Sequence, residues 1–301
     1  MIQIAKTAGA AVQTYVIRLT EPDGGRTVVI SPGRDAHLHL LEEGLEGFGA
    51  TELFVETEPY ADGTGGHPVT RRFGERHMEI TAELASENRD EGTLRRLLCG
   101  VMNPLRTLEM EVTLGNVTRK ISVIPCGKPE FRQANFYTPT EVTLPFLAPD
   151  PFYRDAGTRE VQFWQSVPLL TFPMTFRAGA GMTCGYFRTT DTAVVTNPGD
   201  AACGFDAWLT ASGGMVENPV IRLGEQYIRL QTTLADGETA RIDTRPRRKN
   251  LWIDGVRAFT FHRESEFFLL EPGENRISVS ADSGVEFLSA RLRYTPLYYG
   301  I

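Results

Sequence analysis

The chain has 301 residues, with 31 Lys and Arg against 38 Asp and Glu, a net charge of −7, 41% apolar and 23% charged residues. At about 150 residues per domain this length suggests two domains with sizeable cores. The composition excludes a coiled coil, a collagen, a disulfide scaffold and wholesale disorder, and the acidic balance argues against coating nucleic acid or an anionic membrane.

The first 85 residues read as β. Tyr15, Ile17 and Leu19 alternate, and Pro22-Asp23-Gly24-Gly25 turns the chain into Arg26–Ile30, since Gly accepts the positive φ of a tight hairpin. Leu53–Glu58 is a further strand, and Tyr60–His67 is rich in turn formers. In Arg71–Leu84, Met78, Ile80, Ala82 and Leu84 share one face and His77, Glu79, Thr81 and Glu83 the other, the pattern of a half-buried antiparallel strand. Together these segments predict one long projecting hairpin.

One helix is expected. Asn88-Arg89-Asp90-Glu91 has the form of a capping box, and Leu94, Leu97, Leu98 and Val101 follow at the spacing of one buried face before Pro104. Strands at Leu108–Leu114 and Val117–Ile124 flank a turn at Gly115-Asn116, and Val142, Leu144 and Phe146 close the region. Pro149-Asp150-Pro151 stiffens a joint, which sets domains at 1–150 and 151–301. Beyond it, Glu160–Trp164, Ala193–Thr196, Phe205–Ala211, Ile228–Leu234, Thr239–Asp243, Asn250–Ile253, Glu266–Leu270, Arg276–Ala281 and Ala290–Tyr294 read as short strands of a β-sandwich.

Chemistry-bearing motifs are sparse. Cys99, Cys126, Cys184 and Cys203 lie far apart with no C-x-x-C, so they read as reduced and mostly packed. His37 and His39 share a strand face without a third ligand. His67, His77 and His262 are isolated, and Ser212-Gly213-Gly214 is no nucleophile elbow. The acid pairs Glu56/Glu58, Glu79/Glu83 and Glu264/Glu266 could serve a glycosidase, yet they suit a solvated strand face as well. Gly179–Gly185 lacks the spacing and context of a dinucleotide loop. Arg245–Lys249 is one basic run, read as a solvated hairpin loop. Trp164, Trp208 and Trp252 read as core of the sandwich. Arg71-Arg72-Phe73 in the projecting arm is a candidate interface, because Arg and aromatics anchor interfaces. No catalytic, cofactor or metal site emerges. No stretch approaches the about 20 apolar residues of a membrane span, and Met1–Lys6 lacks a signal-peptide core, so synthesis in a cytoplasm is expected.

The order of these features resembles the distal tail proteins (Dit) of the siphovirus tail component family. The resemblance rests on Gly44-Leu45-Glu46-Gly47-Phe48-Gly49, the arm around Asp62–Arg76, the helix with the strand pair after it, Ala148–Tyr153, Asn197-Pro198-Gly199-Asp200 and Leu270-Glu271-Pro272-Gly273-Glu274-Asn275. It spans nearly the whole chain. It implies a mainly β fold: an N-terminal β-rich domain with one helix and a long belt hairpin, then a galectin-like β-sandwich facing outward. It further implies a structural, non-enzymatic role at the virion tail tip. Copies would form a homo-oligomeric ring, a hexamer, joining the tail tube protein to the tail-tip hub protein, with receptor-binding proteins as further partners and no sequence-specific nucleic acid. The interface candidates are Tyr60, Arg71, Arg72, Phe73 and Arg76. The sugar-contact pattern of true galectins is missing, so no glycan site is expected in the sandwich; the rival reading is a carbohydrate-binding module contacting host glycans.

Overall fold

Among the described residues the strands pair antiparallel except where Thr27–Ile30 meets Leu38–Glu46, and alternation along most strands decides which face is buried. The computed structural model describes residues 15–22, 24–33, 36–85, 90–135, 138–168, 185–189 and 192–301. Cys184, Asn88, Asp23 and nearly all of the Gly179–Gly185 stretch fall outside them. The chain divides into two units, residues 1–156 with 298–301, and residues 157–297. Residues 151–156 and 298–301, assigned to the second domain from sequence, therefore lie in the first unit.

The first unit contains β1 (Tyr15–Thr20), β2 (Thr27–Ile30), β3 (Leu38–Glu46), β4 (Leu53–Pro59), β5 (Gly66–Phe73), β6 (Arg76–Leu84), α1 (Glu91–Val101), β7 (Leu108–Leu114), β8 (Val117–Pro125), β9 (Glu130–Arg132), β10 (Glu141–Ala148) and β11 (Tyr153–Asp155). The sheet order is β11-β8-β7-β1-β2-β3-β6-β10-β9, and β10 also pairs with β8. That extra pairing closes β8-β7-β1-β2-β3-β6-β10 on itself. Closure removes the open edges that a sheet of this length would otherwise present. The parallel pair is β2 with β3. Ile17, Leu19, Ile30, Ile80, Met110, Val123, Leu144 and Phe146 fill the core, and α1 adds Leu94, Leu98 and Val101.

The helix starts two residues later than the capping box implied. Asp90 is the N-cap, with its carboxylate accepting from Thr93 N at 2.9 Å; a single side-chain acceptor at that position satisfies an otherwise orphan donor. The run read as one strand from Arg71 breaks at Gly74-Glu75 into β5 and β6. A Cβ at Gly74 would strike the Phe54 ring.

The second unit contains β12 (Arg159–Gln162), β13 (Trp164–Pro168), β14 (Gly185–Thr189), β15 (Thr192–Asn197), β16 (Phe205–Ala211), β17 (Val216–Glu217), β18 (Val220–Leu223), β19 (Gln226–Arg229), β20 (Thr233–Leu234), β21 (Thr239–Asp243), β22 (Asn250–Ile253), β23 (Val256–Ala258), β24 (Gly273–Ser280) and β25 (Leu288–Tyr294). One sheet runs β12-β25-β16-β21-β22-β23 and another β15-β24-β18-β19. Both contribute to a shared core around Phe205, Leu209, Ile221, Ile228, Ile242 and Ile277, which makes a β-sandwich. The mainly β class with a single α-helix, expected from sequence, is the observed one. Glu266–Leu270 is not a strand; Leu270 joins Cys203 through an isolated bridge instead.

Two turn motifs show why their asparagines are needed. The buried Asn197 amide donates to the Ala201 and Leu270 carbonyls at 3.0 and 2.9 Å, and its oxygen accepts from Gly199 N at 3.0 Å. Asn275 likewise donates to Glu271 and Gly273 carbonyls and accepts from Glu271 N at 2.9 Å. Both spend amide donors on backbone carbonyls that a buried loop could not otherwise satisfy.

Candidate assembly surfaces

Strands β4 and β5 pair only with each other, and every one of their residues is exposed. Register puts Leu53 opposite Phe73, Phe54 opposite Arg72 and Val55 opposite Arg71, with a bulge after Glu56. Leu53, Phe54, Val55, Tyr60, Val69 and Phe73 are each 40–51% exposed. The tip is built from local chemistry: Asp62 Oδ1 accepts from Thr64 N at 3.0 Å, and Tyr60 N donates to Gly65 O at 3.0 Å. The hydrogen bond from Thr64 N holds the Asp62 carboxyl below its ordinary value. Tyr60 lies 5.5 Å from the His67 ring. Arg72 stands over Phe54 at 5.4 Å. Phe73 meets the Phe152 and Tyr299 rings at 5.0 and 5.3 Å, which seats the base of the hairpin.

Of the five interface candidates, Tyr60, Arg71, Arg72 and Phe73 belong to this exposed hairpin, but Arg76 does not. Arg76 opens β6 and is 5% exposed. Nε donates to Pro151 O at 2.9 Å, Nη1 to the Gly47 and Gly49 carbonyls at 2.9 and 2.7 Å, and Nη2 to Tyr299 O at 2.5 Å and to Thr51 Oγ1. All five guanidinium donors are thus spent inside the unit, on neutral oxygens. The ring of Tyr153 lies 4.9 Å from the guanidinium. Burial lowers the Arg76 pKa and raises that of Tyr153. Gly47 reaches the site with φ +77, and a Cβ there would collide with the His77 carbonyl. No periodicity signals such a residue; the signs are indirect, a charge at the head of an alternating strand beside a Gly-rich loop.

The solvent face of β3, β6 and β10 is acidic. Glu46 lies directly opposite Glu79, and Glu83 directly opposite Glu141. Like charges so placed are destabilising. On the other side of the unit, charges balance: Lys120 binds Glu109 at 2.7 Å and Arg18 binds Glu111 at 3.0 Å. His37 Nδ1 accepts from Val29 N at 3.1 Å, and His39 Nδ1 lies 3.3 Å from Ser31 O. Among the described residues no group of three His, Cys, Asp or Glu could hold a metal. Cys203 is buried, whereas Cys99 and Cys126 are exposed, contrary to the expectation of mostly packed thiols.

In the second unit, Trp208 and Trp252 are not core residues. Their neighbours Ala207, Leu209 and Leu251 take the inward face, so both indoles stand on the outer face of the six-stranded sheet. Alternation in Ala207-Trp208-Leu209 and Leu251-Trp252 was the signal for this. Arg245, from the basic run, pairs with Asp206 and Asp243 at 3.0 and 2.7 Å. The hydrogen bond that Arg245 donates to Asp243 raises the Arg245 pKa. Arg247, Arg248 and Lys249 are exposed.

Residues 199–298 match the sequence profile of the siphovirus-type tail component, C-terminal domain. The matched stretch spans β16 to β25, the greater part of the sandwich. Among solved structures, SPP1 Dit, described as a paradigm of hub adsorption apparatus in Gram-positive infecting phages, aligns with a TM-score of 0.63 at 13% identity over 94% of this chain and 99% of that one. A chain of the phage p2 baseplate in its activated conformation aligns with a TM-score of 0.50 at 12% identity over 97% of this chain and 100% of that one. At these identities the likeness is one of fold, and it covers the first unit as well as the sandwich. Curated proteins give no match.

Proposed function

We propose that this chain is a structural, non-enzymatic subunit of the distal end of a siphovirus-type tail, and that copies close into a ring through the β4–β5 hairpin. The observation that carries the reading is the hairpin itself. An isolated two-stranded ribbon is marginal in water, and its edges invite stray pairing. Here the ribbon also leaves six large apolar side chains half exposed. Covering them on a neighbour would contribute roughly 5 kcal/mol per interface, taking about half of the full-burial value for each side chain. A closed ring satisfies every copy at once. Tyr60, Arg71, Arg72 and Phe73 are the contact residues in this reading, and Arg76 fixes the root of the arm from within.

The ring, a hexamer, joins the tail tube protein to the tail-tip hub protein, with the second unit directed outward toward receptor-binding proteins. The likeness to SPP1 Dit and to the p2 baseplate supports this placement. The opposed pairs Glu46/Glu79 and Glu83/Glu141 belong on the channel wall, where carboxylates repel passing DNA over about 8 Å at physiological salt. Replacing Ala61–Thr70 by a short Gly-Ser turn tests the reading by light scattering at several concentrations. The expected result is a folded chain that no longer forms rings. A variant that assembles like the parent overturns it.

A further inference from the structure

Cross-strand register on the outer face of the six-stranded sheet assembles one unbroken row. Gln162 pairs with Arg291, Arg291 with Trp208, Trp208 with Arg241, Arg241 with Trp252, and Trp252 with Arg257. The row crosses all six strands, so it is about 24 Å long at the usual strand spacing. Arginine and tryptophan alternate along it, and each kind recurs at every second strand. The guanidiniums are stacked: Arg291 lies 4.6 Å and Arg241 5.4 Å from the Trp208 ring, and Arg241 lies 5.1 Å from Trp252. Stacking holds each planar fork in place, so less freedom is lost on binding. Arg241 is further fixed by Nε and Nη2 donating to Asp206 at 3.0 and 2.8 Å, which leaves Arg257 and Arg291 with the freer N–H edges.

The charge on this face does not close. Arg241, Arg245, Arg257, Arg291 and Arg293 face Glu160, Asp206 and Asp243, with Asp254 at the end of the hydroxyl row, where it accepts from Thr239 N at 2.9 Å. Asp206 is already taken by Arg241 and Arg245, and Asp243 by Arg245. Glu160 serves Arg291 and Arg293 only at 3.9 and 3.5 Å. Arg257 meets the Phe259 ring at 5.0 Å and forms no ion pair among the described residues. A chain of net charge −7 thus gathers surplus cations on one flat face. The neighbouring row holds hydroxyls, with Thr210 and Thr239 Oγ1 2.9 Å apart and Ser289 bonded to the Thr210 carbonyl.

We propose that this face binds a linear anionic polysaccharide laid along the arginine–tryptophan row. The guanidinium forks take its acidic groups, and the hydroxyl row takes its hydroxyls. Arginine and tryptophan also anchor protein interfaces, so the test includes an acidic polypeptide as the competing occupant. The large apolar side chains exposed at this sheet, Val256 and Phe259, both sit at its β23 end. The proposal rests on the second unit alone and stands apart from ring formation.

The test uses the full chain, with tryptophan fluorescence and calorimetric titration at 50 and 200 mM salt. The probes are a galacturonic acid hexamer, a phosphate-substituted glucan, a neutral glucan hexamer and poly-glutamate. Saturable binding of either anionic glycan, weakened by salt and with the neutral glucan on the order of tenfold weaker, is expected. The two anionic probes distinguish carboxylate from phosphate as the acidic group. Arg257→Gln and Trp252→Ala should each weaken binding on the order of tenfold with unchanged oligomeric state and melting. Arg257→Gln, at an exposed site, keeps the test valid if the Trp252 variant fails to fold. Absence of binding to both anionic glycans overturns the proposal. So does binding indifferent to both substitutions, and so does poly-glutamate binding that equals the glycans and is lost with the same substitutions, which would mark a docking surface for an acidic protein. A ring that still forms in any of these cases leaves the assembly reading in place.

Discussion

Arg76→Ala takes five hydrogen bonds from the first unit at once. The Gly47 and Gly49 carbonyls lose their guanidinium donor, the Pro151 and Tyr299 carbonyls keep only Thr51 Oγ1 as a side-chain donor, and Thr51 Oγ1 loses the donor it accepts from. A net value of about 1.5–3 kcal/mol per charged hydrogen bond, summed over five, would be as large as the stability of a whole domain. The sum is not the answer, because the folded state also carries the cost of burying a guanidinium with no carboxylate beside it. Taking the guanidinium from the Gly47 and Gly49 carbonyls costs roughly 1–3 kcal/mol for each acceptor left unsatisfied, so a loss of about 3–5 kcal/mol is expected here. For a unit of this size it lowers Tm by roughly 6–20 °C. Arg76→Lys keeps the charge but has three donors, so it falls between. Arg72→Ala, on the exposed hairpin, should move stability by no more than about 0.5 kcal/mol. Differential scanning calorimetry of the full chain separates these outcomes. If Arg76→Ala melts within about 1 °C of the parent, the guanidinium does not hold the unit together and the account of the hairpin root fails.

Two further outcomes are expected. Glu21 accepts from Arg26 N at 3.1 Å, with the Arg26 and Arg106 cations at 3.3 Å, and that backbone bond first, then the two charges, holds its carboxyl below the ordinary 4.5. A depressed carboxylate adds stability above its unfolded value and loses it as pH falls through the folded one; Glu21→Gln should therefore lower Tm at pH 7 and narrow its gap to the parent below about pH 4.5, and a gap constant from pH 3 to 7 would refute this. Burial pushes the Cys203 thiol up to about 12, so a thiol reagent at pH 8 should label Cys99 and Cys126 while sparing Cys203 in the folded chain, and labelling of Cys203 at a comparable rate would contradict its packing.

Much of this architecture was legible because alternation is enforced locally. Met78, Ile80, Ala82 and Leu84 point inward for the same reason that they alternate in sequence, and Gly115 with φ +61 makes the turn its position implied. What was not legible depended on competition or on distance. The helix cap went to Asp90, a choice between two nearby acceptors that only the local backbone decides. Trp208 and Trp252 were assigned inward from residue type, although their own strands place them outward. Arg76 was assigned to an exposed arm, because its acceptors at Gly47, Gly49, Pro151 and Tyr299 lie up to 223 residues away. The cross-sheet row draws on five separate strands besides β16, and no window of sequence contains it.

The first unit is interrupted: residues 298–301 belong to it, and residues 157–297 intervene. During synthesis the ribosome must therefore make the entire sandwich before it supplies the Tyr299 carbonyl that Arg76 needs. Tyr298 and Ile301, which pack on the first core, arrive at the same late moment. The sandwich has all its strands by residue 294, so it can finish folding first although it lies second in the chain. The nascent first unit meanwhile waits with its guanidinium incompletely satisfied and its hairpin root unseated. Because Phe73 stacks on Tyr299, the arm takes its final footing only after the whole sandwich has been made.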